Sequence, residues 1–399
     1  MRMQTPDGHS RRIVRRALGR MAVAGVVGVG IVSVRVDAQI VVSANDAKVT
    51  LVDGVQVVGR NPPPDTVTIW DFGVTPPRTV AAINVPTSLV GPPSSVAITP
   101  NRSLALVTAS MKIDPANPAQ TIPDSRVTVI DLSLAQPAAI ATLTAGPGAS
   151  GITINRAGTL ALVANRGDGT VSVFTIAGKV VTAAGRVDLG APASIPSGVA
   201  FAADGRRAFV TRNGDSVISV LAVEGNQVTY AKTAFGAGSK PYPIEIAPAG
   251  DLAVVGHVGA GATGGLDVLS LVDLSPALPR VIDQVSAGPT VEGLAISPDG
   301  RHVAATVMNG SNAARTASFF ADFGRLRIFR IDKRTLVPVT ETRVGQWCQG
   351  AAWVHGGKTV LVQCMVEREL QMFQFDGRAL KPAGAITING GPAGIRTQP

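Results

Sequence analysis

VEGLAISPDG, residues Val291–Gly300, is an extended run whose fourth and sixth places, Leu294 and Ile296, are apolar and whose tail is Pro-Asp-Gly. Alternation with a period of two marks a strand, and Asp-Gly accepts the backbone angles of a tight reversal. The same ten-place pattern recurs as PSSVAITPNR at Pro93–Arg102, ASGITINRAG at Ala149–Gly158, PSGVAFAADG at Pro196–Gly205, PYPIEIAPAG at Pro241–Gly250 and CQGAAWVHGG at Cys348–Gly357. A further copy, PAGIRTQP at Pro392–Pro399, stops at the last residue. Its sixth place, Thr397, is the one exception to the apolar rule.

Each turn leads into a second apolar run, near Leu104, Leu160, Ala208, Leu252, Val303 and Val360, with Ile40–Ser43 as an unmatched run at the start. A third family follows, from Val67–Asp71 through Val127–Asp131, Val171–Phe174, Val217–Val220, Val268–Val272 and Leu326–Phe329 to Leu370–Phe373. Weaker fourth strands, such as Ala139–Leu143 and Val281–Val285, complete each unit. No stretch carries sustained helical spacing with caps, so a parallel α/β fold is disfavoured. The pattern predicts an all-β, seven-bladed propeller of four-stranded antiparallel blades. The orphan Ile40–Ser43 lacks an inner neighbour that only Pro392–Thr397 can supply, so the ring is expected to close there and remove its two open edges.

Composition agrees with a globular, turn-rich chain. Of 399 residues, 45% are hydrophobic and 16% charged, with 44 Gly and 28 Pro. The net charge of +9 is concentrated at the start, where residues 1–38 hold seven Arg against Asp7 and Asp37, which leaves only +4 on residues 39–399. With aromatics at 4%, nucleic acid is not an expected partner. Residues 1–38 read as an export signal: a basic start, an apolar run from Met21 to Val34 too short to span a bilayer, and a Val36-Asp37-Ala38 exit. Ser10-Arg-Arg-Ile-Val-Arg15 resembles a twin-arginine signal. Cleavage after Ala38 then leaves 39–399 as the propeller, periplasmic or secreted, without a membrane span and monomeric; an uncleaved anchor is the alternative.

In such a blade the start of the first strand and the end of the second share one rim, here called upper. The second column of the repeat lies there and reads Ser94, Ser150, Ser197, Tyr242, Glu292, Gln349 and Ala393, polar where the neighbouring columns are apolar. The long segments 61–65, 110–125, 257–265 and 309–323 fall on the same rim, where binding or catalysis is expected. His257, ending a second strand near Tyr242 and Glu292, is the acid/base candidate, with a carboxylate to hold its tautomer. Arg166 and Arg212 are candidates for holding an anion, beside Gln349, Ser94, Ser150 and Ser197. Solvated rim side chains are the alternative for these. His302 and His355 read as surface turn residues. Cys348 and Cys364 are equidistant from residue 356, the centre of the last hairpin, and are expected to face each other as a cross-strand disulfide, two buried thiols being the alternative. Gly259–Gly264 matches the dinucleotide pattern but precedes a strand and reads as a flexible loop. No metal or haem motif is present in the sequence, and no cofactor is expected.

Leu160-Ala-Leu-Val-Ala-Asn165, Thr170-Val-Ser-Val-Phe174 and Ile296-Ser-Pro-Asp-Gly300 resemble the YVTN-type repeat and the related lactonase-like seven-bladed propellers, and the resemblance spans nearly all of 39–399. It implies the same fold, in a group that includes phosphogluconolactonase-like hydrolases, carboxymuconate cyclases and exported propellers of unassigned role. Two function classes follow. One is an exported propeller that binds a small molecule, an exported protein or a cell-surface component on its upper face. The other is a lactone hydrolase or cycloisomerase in which Glu292 or His257 moves the proton and Arg166 or Arg212 stabilises the developing anion.

Overall fold

The structure, a computed structural model, describes residues 39–397; the export signal read at 1–38 lies outside the described residues. Among the described residues, seven four-stranded antiparallel sheets follow one another, with two small two-stranded hairpins in addition. In the second blade Val96–Ile98, Leu104–Thr108, Arg126–Asp131 and Ala138–Thr144 lie side by side. The first blade is composite, in the order Gly391–Thr397, Ile40–Asp46, Thr66–Asp71 and Arg78–Asn84. Its closing register sets Val41 against Thr397 and Ser43 against Ile395. The expected closure is therefore the observed one, and the protein is an all-β, seven-bladed propeller.

Blades stack face to face, which is why the apolar columns are uniform. Between the third and fourth blades, Leu160, Leu162, Val171 and Val173 of one pack against Val199, Phe201, Val210 and Leu221 of the next, all buried. Each such side chain withdrawn from water contributes about 1.5–3 kcal/mol. Charged ties add to this at the lower rim, where Lys179 reaches Asp131 of the preceding blade at 2.5 Å and Arg334 reaches Asp273 at 2.5 Å.

Two features depart from the sequence reading. The segment 110–125 contains a hairpin, Met111–Ile113 with Thr121–Pro123, and a second one, Val49–Val52 with Val55–Val58, follows the opening strand. The loop 259–264 is pinned, since the Asp267 carboxylate accepts from the Ala260 and Gly261 amides at 2.8 Å each and from Thr290 at 3.0 Å.

Cys348 and Cys364 stand opposite each other in the last hairpin and are joined as a disulfide. Its sequence separation is 16, for which loop-closure entropy gives about 3 kcal/mol. The Cys348→Ala/Cys364→Ala protein is therefore expected to unfold cooperatively at lower urea, with a loss near that size; equal midpoints for the two proteins would refute the estimate.

Candidate functional site

The site begins with a repeated irregularity of the inner strands. Pairing with the second strand breaks between Ala149 and Ile152, Pro196 and Val199, Pro241 and Ile244, Val291 and Gly293, and Cys348 and Ala351. The second column, and in every one of these blades but the sixth the third column too, thus bulges out of the ladder, and a bulge re-aims the side chain it carries. The third column explains the tightness of the ring here. A Cβ on Gly151 would lie 2.4 Å from the Ser197 carbonyl oxygen, one on Gly198 2.5 Å from that of Tyr242, and one on Gly293 2.4 Å from that of Gln349. Glycine lets neighbouring inner strands meet backbone to backbone in a narrow neck. Second-strand threonines lock it: Thr211 donates to the Tyr242 carbonyl at 2.8 Å, and Thr108 and Thr306 donate to the carbonyls of Ser150 and Gln349.

At this neck the second-column residues of distant blades come together. The Arg166 guanidinium of the third blade sits 5.6 Å from the centre of the Tyr242 ring of the fifth and donates to Ser197 Oγ of the fourth. Glu292 of the sixth blade is within electrostatic reach of both Tyr242 and Arg166. Burial pushes the Glu292 carboxyl from an ordinary 4.5 up to about 8, with the Arg166 charge pulling the other way. Burial, followed by the Glu292 charge, drives the Tyr242 phenol well above its usual range. The Gln349 amide, oriented to satisfy both its ends, donates to Glu292 Oε1 and accepts from Trp347 Nε1, each at 3.3 Å. Ser94 and Ser150 bring buried hydroxyls that have no hydrogen-bond partner.

The neck is roofed. Residues 87–92, which lead from the first blade to the second, lie across the upper mouth. Leu89 is buried among Met308, Trp347, Met365 and Ala393, which come from the sixth, seventh and first blades. The Gly91 backbone lies beside the Tyr242 phenol, and Gly91 abuts Ser150. A buried ionic triad anchors this plug. Lys48 Nζ meets Asp46 at 3.1 Å and Asp65 at 2.7 Å and donates to the Thr87 carbonyl at 2.6 Å. The carboxylates in turn accept from the Leu89 amide at 3.0 Å and the Thr87 amide at 3.1 Å. The second column therefore lies beneath a roof, where an open mouth was expected, and Arg166, which joins it from the end of a second strand, is only half-buried.

His257 and Arg212 do not join the cluster. Each pairs with the first column of its blade, as Asn165 does, and all three turn sideways onto a serine of their own third strand. Asn165 Nδ2 donates to Ser172 at 3.0 Å, Arg212 Nη1 donates to Ser219 at 3.3 Å, and His257 Nε2 is 3.0 Å from Ser270 Oγ. His257 Nδ1 lies 3.1 Å from the Ser239 carbonyl, and burial lowers its pKa. Arg212 is further held by the Asp215 carboxylate. Both residues are occupied inside the blade. Arg166 stands one residue beyond this position, and the opposite parity delivers it to the axis. The plug, the Asp46–Lys48–Asp65 triad and Trp347 escaped the sequence reading; the apolar pair Leu89-Val90 in a Pro- and Gly-rich loop is the one local sign of them.

No family model and no curated protein matches the chain. Solved structures do match. A protein of Bacteroides uniformis, provisionally named a 6-phosphogluconolactonase, is 15% identical with a TM-score of 0.68, over 90% of this chain and 99% of that one. A periplasmic gluconolactonase of Pseudomonas aeruginosa is 15% identical with a TM-score of 0.65, over 90% and 99%. A protein of unknown function from Desulfotomaculum acetoxidans is 13% identical with a TM-score of 0.67, over 90% and 98%. The chain has the fold of lactonase-like seven-bladed propellers. Among the described residues, no group of three His, Cys, Asp or Glu could hold a metal ion, and no helix is long and apolar enough to cross a membrane.

The raised Glu292 pKa has a consequence for stability. The folded state holds its proton where the unfolded chain releases it, so this stabilisation is full below about pH 4.5 and is lost as pH rises through about 8. The melting temperature of Glu292→Gln should therefore gain on that of the wild type across this window. Melting curves that shift in parallel with pH would contradict the assignment.

Proposed function

We propose that the protein is a lactonase-like hydrolase or cycloisomerase for a small anionic lactone, working at the Tyr242–Glu292–Arg166 neck. The arrangement that carries this is the buried Glu292 carboxyl, pushed up to about 8 by its burial and within electrostatic reach of the Arg166 guanidinium, since an acid/base group poised near the working pH and next to a fixed cation is what ester-bond chemistry requires. In hydrolysis, Glu292 as the carboxylate takes a proton from water as that water attacks the lactone carbonyl. Arg166 holds the oxyanion and the substrate's negative group. Collapse of the tetrahedral species breaks the ring C–O bond, and Glu292 returns the proton to the departing alkoxide. Ser94 and Ser150 supply unpaired hydroxyls to orient substrate or water. The fold match to a periplasmic gluconolactonase and the disulfide support both the reaction class and an extracytoplasmic site of action.

The reading in which the propeller only binds its ligand or partner is favoured by one fact: the plug roofs the neck, so a substrate enters past Arg166 or by displacing residues 87–92. Titrimetric assay of carboxylated, phosphorylated and uncharged lactones separates the two. Hydrolysis of an anionic lactone is expected, with a rate that rises towards pH 8, a fall of about 10²-fold or more in kcat for Glu292→Gln, and a rise in KM for Arg166→Ala. Absence of turnover across the panel, or an unchanged kcat in Glu292→Gln, would overturn the enzyme reading.

A further inference from the structure

The opposite end of the channel has a different chemistry. There, all seven blades enclose a cavity of about 510 Å³, within the range of small-molecule sites. The sixth column of the repeat forms its belt: Ile98, Ile154, Phe201, Ile246, Ile296 and Trp353. Most of this lining is apolar, with the hydroxyls of Thr153, Ser297 and Thr397 and the Asn155 amide as polar interruptions. Charge enters the belt at two places. The fifth column is Ala97, Thr153, Ala200, Ala295 and Ala352 in five blades, but Glu245 in the fifth blade and Arg396 in the closing one. These two meet across the lumen, Arg396 Nη1 to Glu245 Oε1 at 2.5 Å, with both side chains partly exposed to the cavity. A second guanidinium, Arg156, stands at the rim and donates one Nη2 bond to the Pro248 carbonyl at 2.5 Å. The three charged groups sum to one excess positive charge over an apolar chamber.

We propose that this lower chamber is a binding site, separate from the neck, for a small monocarboxylate with an apolar body, of the medium-chain fatty-acid class. The hydrocarbon lies against the isoleucine, Phe201 and Trp353 belt, where each buried methylene contributes about 0.8 kcal/mol. The carboxylate takes the guanidinium hydrogens of Arg396 and Arg156 that Glu245 and Pro248 leave unused, by the forked geometry that suits a planar anion. Glu245 is then an internal competitor for Arg396: it compensates the guanidinium in the empty chamber and is displaced when the ligand carboxylate enters.

Competition makes the site distinguishable from a mere strut between opposite blades. Titration calorimetry with decanoate below its micellar range, and with decanol as the uncharged counterpart, is the test. Saturable binding of one decanoate per chain is expected, with decanol weaker by roughly tenfold or more. Arg156→Gln, at the exposed rim, should weaken decanoate by a similar factor, whereas Glu245→Gln should tighten it. Urea midpoints confirm that each variant is folded, and Glu245→Gln, which keeps shape and polarity, is the decisive one. No saturable heat with decanoate, equal affinity for decanol, or unchanged or weakened binding in folded Glu245→Gln would each overturn the proposal. The lactone assay reads the opposite end of the channel, so the two readings stand or fall separately.

Discussion

Antiparallel pairing between Gly391–Thr397 and Ile40–Asp46 is the constraint on which the rest depends. Without it the array would end in two unpaired edges, and the inner strands would have no fixed axis to face. The joint is tied by side chains as well as by the ladder: Gln363 Nε2 of the last blade donates to the Gly394 carbonyl at 2.9 Å and to Ser43 Oγ at 2.7 Å. Thr66 donates to the Asn389 carbonyl at 3.2 Å from the other side. Arg396, carried on the closing strand, then reaches across the lumen to Glu245. The Ser43–Gln363 and Thr66–Asn389 contacts, each more than three hundred residues apart in sequence, thus hold the ring closed.

The architecture was legible because it is written many times over. A single period-two run with a turn is ambiguous, but seven copies with the same apolar columns define blades, and the unmatched run at Ile40–Ser43 defines the closure. The neck was legible in part. The polar second column named Tyr242, Glu292 and Gln349, yet nothing local distinguishes Arg166 from Arg212 or His257. What separates them is position: the last residue of the second strand turns to the Ser of its own blade, whereas Arg166, one residue further on, reaches Ser197 and Tyr242 of the next two blades. The plug was not legible, because the partners of Leu89 come from three blades that only the closed ring brings together.

The ring has two unlike ends along one axis. Glycines in the third column draw the upper end tight, bury polar groups and raise the Glu292 pKa. Beyond the bulges the ladder resumes, the strands carry branched and aromatic side chains, and the lower end opens into an apolar chamber crossed by one ion pair. Our proposals assign proton chemistry to the first and recognition of an amphipathic anion to the second.

Native-state hydrogen exchange tests the closure most directly. The amides of Gly391–Thr397 and Ile40–Asp46 should exchange only with global unfolding, at the same free energy as Leu160–Asn165 in the middle of the chain. Faster exchange of Gly391–Thr397 while Leu160–Asn165 stays protected would contradict a ring held at that joint.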